Sequence, residues 1–172
     1  MFFRRLGKKD GSDSPARKLH ASATAQSRRP EFYRTLGAPD TVDGRFELLT
    51  LHVVLLLERL KEQPAVRQDL FDTYVSNLDG ALREMGVGDL SMGRRMKQLG
   101  QVFYGRAAAF DAAFKTLPDE TELREVIART ILQSTANGDS AGLTAYAIDC
   151  HATLASCATD GLFAGQVAWG NL

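Results

Sequence analysis

Apolar residues recur at helical spacing along most of the chain and nowhere alternate in strand fashion for six or more positions. Phe46, Leu49, Val53, Leu56, Leu57 and Leu60 fall on one face of a 3.6-residue repeat. Leu48, Leu51 and Leu55 add a second apolar side, which predicts a central helix buried on more than one face. Pro64 separates it from a second stripe, Leu70, Phe71, Tyr74, Val75, Leu78, Leu82 and Met85, which Gly86 and Gly88 end. A third stripe runs from Met92 through Met96, Leu99, Phe103, Arg106, Phe110 and Ala113 to Leu117, with Asp89 or Ser91 as its N-cap. Gly100 and Gly105 lie inside it. Each costs about 1 kcal/mol against Ala in a helix, a cost that points to a close backbone approach or a bend.

Pro118 and Asp119 open a further helix, whose first turn carries Glu120 and Glu122, the sign that an N-terminal dipole favours. Its apolar face is Leu123, Val126, Ile127, Thr130 and Ile131. After Asn137-Gly138-Asp139-Ser140, a last helix uses Leu143, Tyr146, Ala147, Cys150, Leu154 and Cys157. Short loops between such segments predict an all-α protein, a single compact bundle of about five to seven helices.

Composition narrows the class. The 172 residues, 44% hydrophobic and 24% charged, suit one globular domain and lie far from a disordered composition. Two cysteines cannot frame a disulfide scaffold. The most apolar run, Leu48 to Leu57, is interrupted by Thr50 and His52 and bounded by Glu47 and Glu58, so it is too short to span a bilayer. Met1 to Lys9 offers only Met-Phe-Phe before charges begin, which does not make a signal peptide.

Equal numbers of basic and acidic residues, 21 each, hide an asymmetry. Residues 1–36 hold nine basic and three acidic side chains, and the rest of the chain carries the compensating acid excess. The expected organisation is a basic, partly disordered N-terminal arm at 1–29 and a helical domain at 30–172. Arg4, Arg5, Lys8, Lys9, Arg17, Lys18, Arg28 and Arg29 would give the arm an anionic contact, either a membrane surface or RNA. A mitochondrial transit peptide is the competing reading. Asp10, Asp13 and the lack of a periodic apolar face count against it.

Residues 69–111 read DLFDTYVSNLDGALREMGVGDLSMGRRMKQLGQVFYGRAAAFD. The run Leu82 to Ser91, the basic Arg94 to Lys97 and the Phe103-Tyr104-Gly105-Arg106 step closely resemble the ubiquinol–cytochrome c chaperone family, assembly factors for the cytochrome bc1 complex. Looser similarity extends from about Phe46 to Gly165 and leaves the arm outside. One departure is Arg129-Thr130, where the family pattern has Arg-Asn. The resemblance implies a helical chaperone for newly made cytochrome b, without catalytic turnover. It also implies a small helper protein and the ribosome as partners of the mitochondrial relatives. It further implies a bacterial member acting in the cytoplasm, peripheral to the inner membrane, with the mitochondrial matrix as the alternative. Neither a cofactor nor a small-molecule substrate follows from it.

Candidate partner-binding residues are Arg94, Arg95, Lys97, Tyr104 and Arg106. On a helix Arg94, Lys97 and Gln101 share a face, and Arg95 is turned away by about 100°. Arg106 falls on the apolar stripe, where an arginine needs a buried carboxylate such as Asp72 or Asp79. Gly105 between Tyr104 and Arg106 suits either a tight helix crossing within the bundle or the approach of a second chain. Met85, Met92 and Met96 suit an adaptable apolar contact or core filling. The rival function is an RNA- or ribosome-binding module using the arm and the Arg94 to Arg106 cluster.

Metal and enzyme chemistry find little in the sequence. Cys150 and Cys157 on one helix stand about 10.5 Å apart along its axis, beyond a disulfide, and no fourth ligand neighbours them and His151. His52 reads as a satisfied core histidine. No P-loop, GxSxG or HExxH motif is present.

Overall fold

Every residue from Thr50 to Leu57 is buried, and the helix that contains them organises the molecule. The structure, a computed structural model, describes residues 13–133 and 139–172. Eight helices and no strand occur among them. They are α1 (Pro15–Ser27), α2 (Pro30–Arg34), α3 (Val42–Arg59), α4 (Pro64–Glu84), α5 (Asp89–Lys115), α6 (Thr121–Thr130), α7 (Ala141–Ser156) and α8 (Thr159–Phe163). The all-α bundle expected from the periodicity is present, with α2 and α8 as single short turns beside six longer helices.

Helix α3 is central because it packs against α1, α4, α5 and α7. Thr41 caps it, its hydroxyl accepting from the Gly44 amide at 3.1 Å. Gly44 is needed there because a Cβ would run into the carbonyl of Pro39, where the preceding loop crosses the helix. At the far end, Arg59 reaches across to α7. Its guanidinium donates to the carbonyls of Leu154 (2.9 Å) and Cys157 (2.8 Å) and to the Thr159 hydroxyl (3.3 Å). These bonds give the Leu154 carbonyl a second donor beside the Cys157 amide and tie the end of α7 to α3.

The arm expected through residue 29 is corrected from residue 15 onward. That stretch is helix α1, packed on α3, α4 and α8. Ser14 caps it by accepting from the Arg17 amide, and Pro15 takes its first position. Its buried apolar face is Ala16, Leu19 and Ala23 at i, i+3 and i+7. Two of the three are alanines, which bury little area each but let the helix lie close against its neighbours. A search for large apolar side chains passes over such a face.

Three buried polar side chains, Gln26, Tyr146 and His52, form an ordered chain through the core. Gln26 of α1 donates its amide to the Tyr146 hydroxyl at 3.0 Å. Tyr146 lies 2.8 Å from His52 Nε2, and His52 Nδ1 lies 2.7 Å from the Leu48 carbonyl. A carbonyl can only accept, so Nδ1 carries the ring proton and Nε2 accepts from Tyr146. His52 is thus the satisfied core histidine expected, held neutral by burial that pushes its pKa down to about 4. Phe32, Tyr146 and Trp169 surround its ring at centroid distances of 5.4, 5.7 and 5.0 Å. Trp169 in turn donates to the Ser22 hydroxyl of α1 at 3.0 Å, which pins the segment after α8 across the bundle.

Candidate docking surface

Helices α4 and α5 pack on α3 through one half of their length, and the other half stands away from the core. Between Arg83 and Gln98 only Met92 is buried. Helix α5 runs unbroken for 27 residues through Gly100 and Gly105. A Cβ at either glycine would meet nothing within 4 Å. The expected close approach is therefore not made by any described part of this chain, and the tight-crossing reading of Gly105 is corrected: the surface there is open.

A groove of about 310 Å³ runs between α3, α4 and α5. Val54 and Leu57 line one wall, Phe71 and Gln68 another, and Phe103, Tyr104 and Ala107 the third. The aromatic rings form a cluster, with Phe71 5.3 Å from Phe103 and 5.6 Å from Tyr104, centroid to centroid. Phe103 is buried beneath, and Tyr104 is 62% exposed at the rim. The polar edge of the groove is fixed by Arg67, which donates to the Leu57 carbonyl at 3.0 Å, and by Glu58, which pairs with Lys61. Lys61 also reaches Asp111 of α5 at 3.4 Å.

The structure divides the five candidate partner-binding residues. Arg106 lies at the inner end of α5 and is engaged by Glu47 of α3. Its Nε and Nη2 atoms make three hydrogen bonds to that carboxylate, at 2.8 to 3.1 Å. The expectation of Asp72 or Asp79 as its partner is corrected: Asp72 accepts from Gln68, and Asp79 pairs with Arg83. Glu47 sits one turn before Leu51 on the buried side of α3, so the two helices bring their inward charges together. The carboxylate raises the guanidinium's affinity for its proton by hydrogen bonding, against the opposing effect of burial.

Arg94, Arg95 and Lys97 are exposed on the first turns of α5, about 18 Å along the helix from Arg106 for the first of them. None of the three lies within ion-pair distance of a described carboxylate. Arg95 contacts only Gln98, at 3.4 Å. Tyr104 belongs to the groove and the three cations to the projecting end, so the Arg94 to Arg106 cluster is two separate features. Phe71 and Phe103, which complete the groove, were visible only as members of apolar stripes.

Of the arm residues, Arg4, Arg5, Lys8 and Lys9 lie outside the described residues. Lys18 pairs with Asp13 at 2.6 Å and Arg29 with Glu31 at 3.0 Å, while Arg17 and Arg28 are exposed. The methionines also separate: Met92 is buried, Met96 is half-buried and Met85 is exposed. Among the described residues no His, Cys, Asp and Glu cluster is arranged to hold a metal ion. Nor is any helix among them long and apolar enough to cross a membrane.

Comparison with known proteins identifies the family. A family model described as ubiquinol-cytochrome C chaperone matches residues 34–169. The crystal structure of the Cbp3 homolog from Brucella abortus superposes with a TM-score of 0.81 at 31% sequence identity. That match covers 91% of this chain and 89% of the Brucella chain. No curated protein matches the sequence significantly. The family model and the structural match each span most of the sequence, and on them the chain belongs to the ubiquinol–cytochrome c chaperone family.

Proposed function

We propose that this protein binds newly made cytochrome b and supports biogenesis of the cytochrome bc1 complex without catalytic turnover. Family membership supplies the chaperone role in bc1 assembly. The observation that supports a binding mode is the groove between α3, α4 and α5, floored by Phe103 and rimmed by the 62% exposed Tyr104. An apolar segment of a membrane protein lays side chains into such a groove, and Tyr104 offers a ring and a hydroxyl to its edge. The strongly perturbed titratable groups support binding rather than chemistry. His52 and Tyr146 spend their polar atoms on each other, and Tyr74 lies 3.0 Å from the Thr50 hydroxyl, all inside the core. The site of action in this reading is the cytoplasmic face of a bacterial inner membrane, and the Brucella relative is itself bacterial.

The test is recovery of cytochrome b from native membranes by the tagged protein, identified by mass spectrometry, beside Y104D and F71D/Y104D variants that retain the wild-type circular dichroism. Loss of cytochrome b with both variants is the expected result. Undiminished recovery would move the client elsewhere, and no cytochrome b with any form would remove the client assignment. The RNA-binding reading rested on a basic cluster that included Arg106. With Arg106 held by Glu47, that reading retains the exposed cations of α5 and the arm. It predicts ribosomal RNA in the same eluates, falling steeply with salt.

A further inference from the structure

Leu90, in the first turn of α5, is completely exposed at 106%, more than any other large hydrophobic residue described. Met85, on the other side of the Gly86-Val87-Gly88 turn, is also exposed, at 54%. A lone exposed leucine is ordinary on a protein surface. Here two large exposed apolar side chains flank the turn of a hairpin whose α5 side is cationic. Arg94 and Lys97 follow Leu90 at i+4 and i+7, so they share its face, about 6 and 10 Å farther along the axis. Arg95 stands beside them on the adjoining face.

The nearby carboxylates make no ion pair with Arg94, Arg95 or Lys97. Asp79 and Asp89 share Arg83, at 2.8 and 2.6 Å, so the tip from 79 to 97 sets four cations against three acids and keeps a net positive charge. Glu84 is the remaining acid of the turn region, on the α4 side. Arg94 and Lys97 therefore present charge on the face of Leu90, and Arg95 adds an exposed cation on the adjoining face.

From this arrangement we infer that the α4–α5 tip docks on an anionic lipid surface, with Leu90 and Met85 entering the acyl boundary and Arg94, Arg95 and Lys97 meeting headgroup phosphates. The order of residues along the helix fits the layering of a bilayer interface, apolar at the point and cationic one to two turns behind it. Long basic side chains can reach down to the phosphates from that height. Shape favours lipid over a peptide partner. The concavity at this end is shallow and lined by Gly88, Asp89, Leu90, Ser91 and Arg94, so Leu90 projects rather than receives. A deformable surface accommodates a projecting leucine, and a peptide seeks a groove. This inference does not depend on the identity of the client.

The purified full chain, mixed with vesicles of phosphatidylcholine containing about 30% phosphatidylglycerol, is expected to co-sediment, and with phosphatidylcholine alone it is not. L90E should lower binding at least tenfold, and R94Q/K97Q by about fivefold per charge removed, with a weaker salt dependence. In L90W, emission from the introduced indole should shift to the blue on addition of the anionic vesicles and stay unshifted with the neutral ones. Positions 90, 94 and 97 are exposed, so variants there should keep the fold, with circular dichroism as the check. Wild-type affinity in both L90E and R94Q/K97Q would overturn the inference. So would binding that only R4Q/R5Q/K8Q/K9Q abolishes, since the arm and not the tip would then carry it. Absence of vesicle binding, or an unshifted L90W, would overturn it equally.

Discussion

Arg106 of α5 and Glu47 of α3 stand 59 positions apart and meet in three hydrogen bonds within the bundle. The glutamate side chain is 8% exposed and the arginine 29%. Removing one partner strands a charge in a place where water reaches poorly. R106M should therefore cost about 3 kcal/mol in urea unfolding, and the double variant E47L/R106M should recover most of it. A loss under about 1 kcal/mol in R106M would mean that Glu47 finds other solvation.

His52 makes stability depend on pH in a definite direction. Its folded pKa of about 4 lies below the 6.5 of the unfolded chain, so the unfolded state takes up a proton that the folded state refuses. Its contribution is complete above pH 6.5 and declines as pH falls toward 4. From pH 7 to pH 5 the protein should lose about 2 kcal/mol from this group. His20, also shifted down by burial, acts in the same sense. In H52Q the baseline falls, and the slope across that interval flattens. An unchanged slope in chemical denaturation at the two pH values would assign the dependence to other groups.

Trp169 is the sole tryptophan of the chain, which makes its contact with His52 directly observable. A Cβ on Gly170 would lie 2.8 Å from the Cys150 amide nitrogen and 3.1 Å from the Asp149 carbonyl carbon. G170A should push the segment off α7, shift tryptophan emission to the red and lower the melting temperature. S22A removes the hydrogen bond to the indole without a clash, and should produce a smaller change in the same direction.

Alanine at Gly100 or Gly105 should raise stability by about 1 kcal/mol each, because both lie in the interior of α5 with open space above them. Thermal unfolding of the isolated protein checks this. A loss of stability would mean that another part of the chain packs there.

The long helices were readable because large apolar side chains repeat at 3.6-residue spacing in each of them, as with Leu70, Tyr74 and Leu82 of α4. Helix α1 was not, since its buried side rests on Ala16, Leu19 and Ala23, with His20, Gln26 and Ser27 buried as well. Periodicity measured on large hydrophobics is blind to a face made of alanines and buried polar groups. The partner of Arg106 was missed for a related reason. Glu47 looked like the solvated end of an apolar run, whereas its spacing to Leu51 and Val54 puts it on the buried side of α3. A charge on the inward stripe of one helix calls for an opposite charge on another, and only the packing of α3 on α5 says which. The groove needed the same tertiary information, since Phe71 and Phe103 come from different helices.

Ser22 and Trp169 bond across 147 positions, so the contact has a tempo as well as a geometry. Translation adds roughly 5 to 20 residues per second, and α1 leaves the ribosome long before its latch has been made. For roughly 7 to 30 s the first helix is without Trp169, and for most of that time also without Tyr146, which receives the hydrogen bond from Gln26. Until those residues arrive, α3 has only part of its cover. A chaperone of complex assembly thus passes through its own interval of incomplete closure, ended only when Trp169 reaches Ser22.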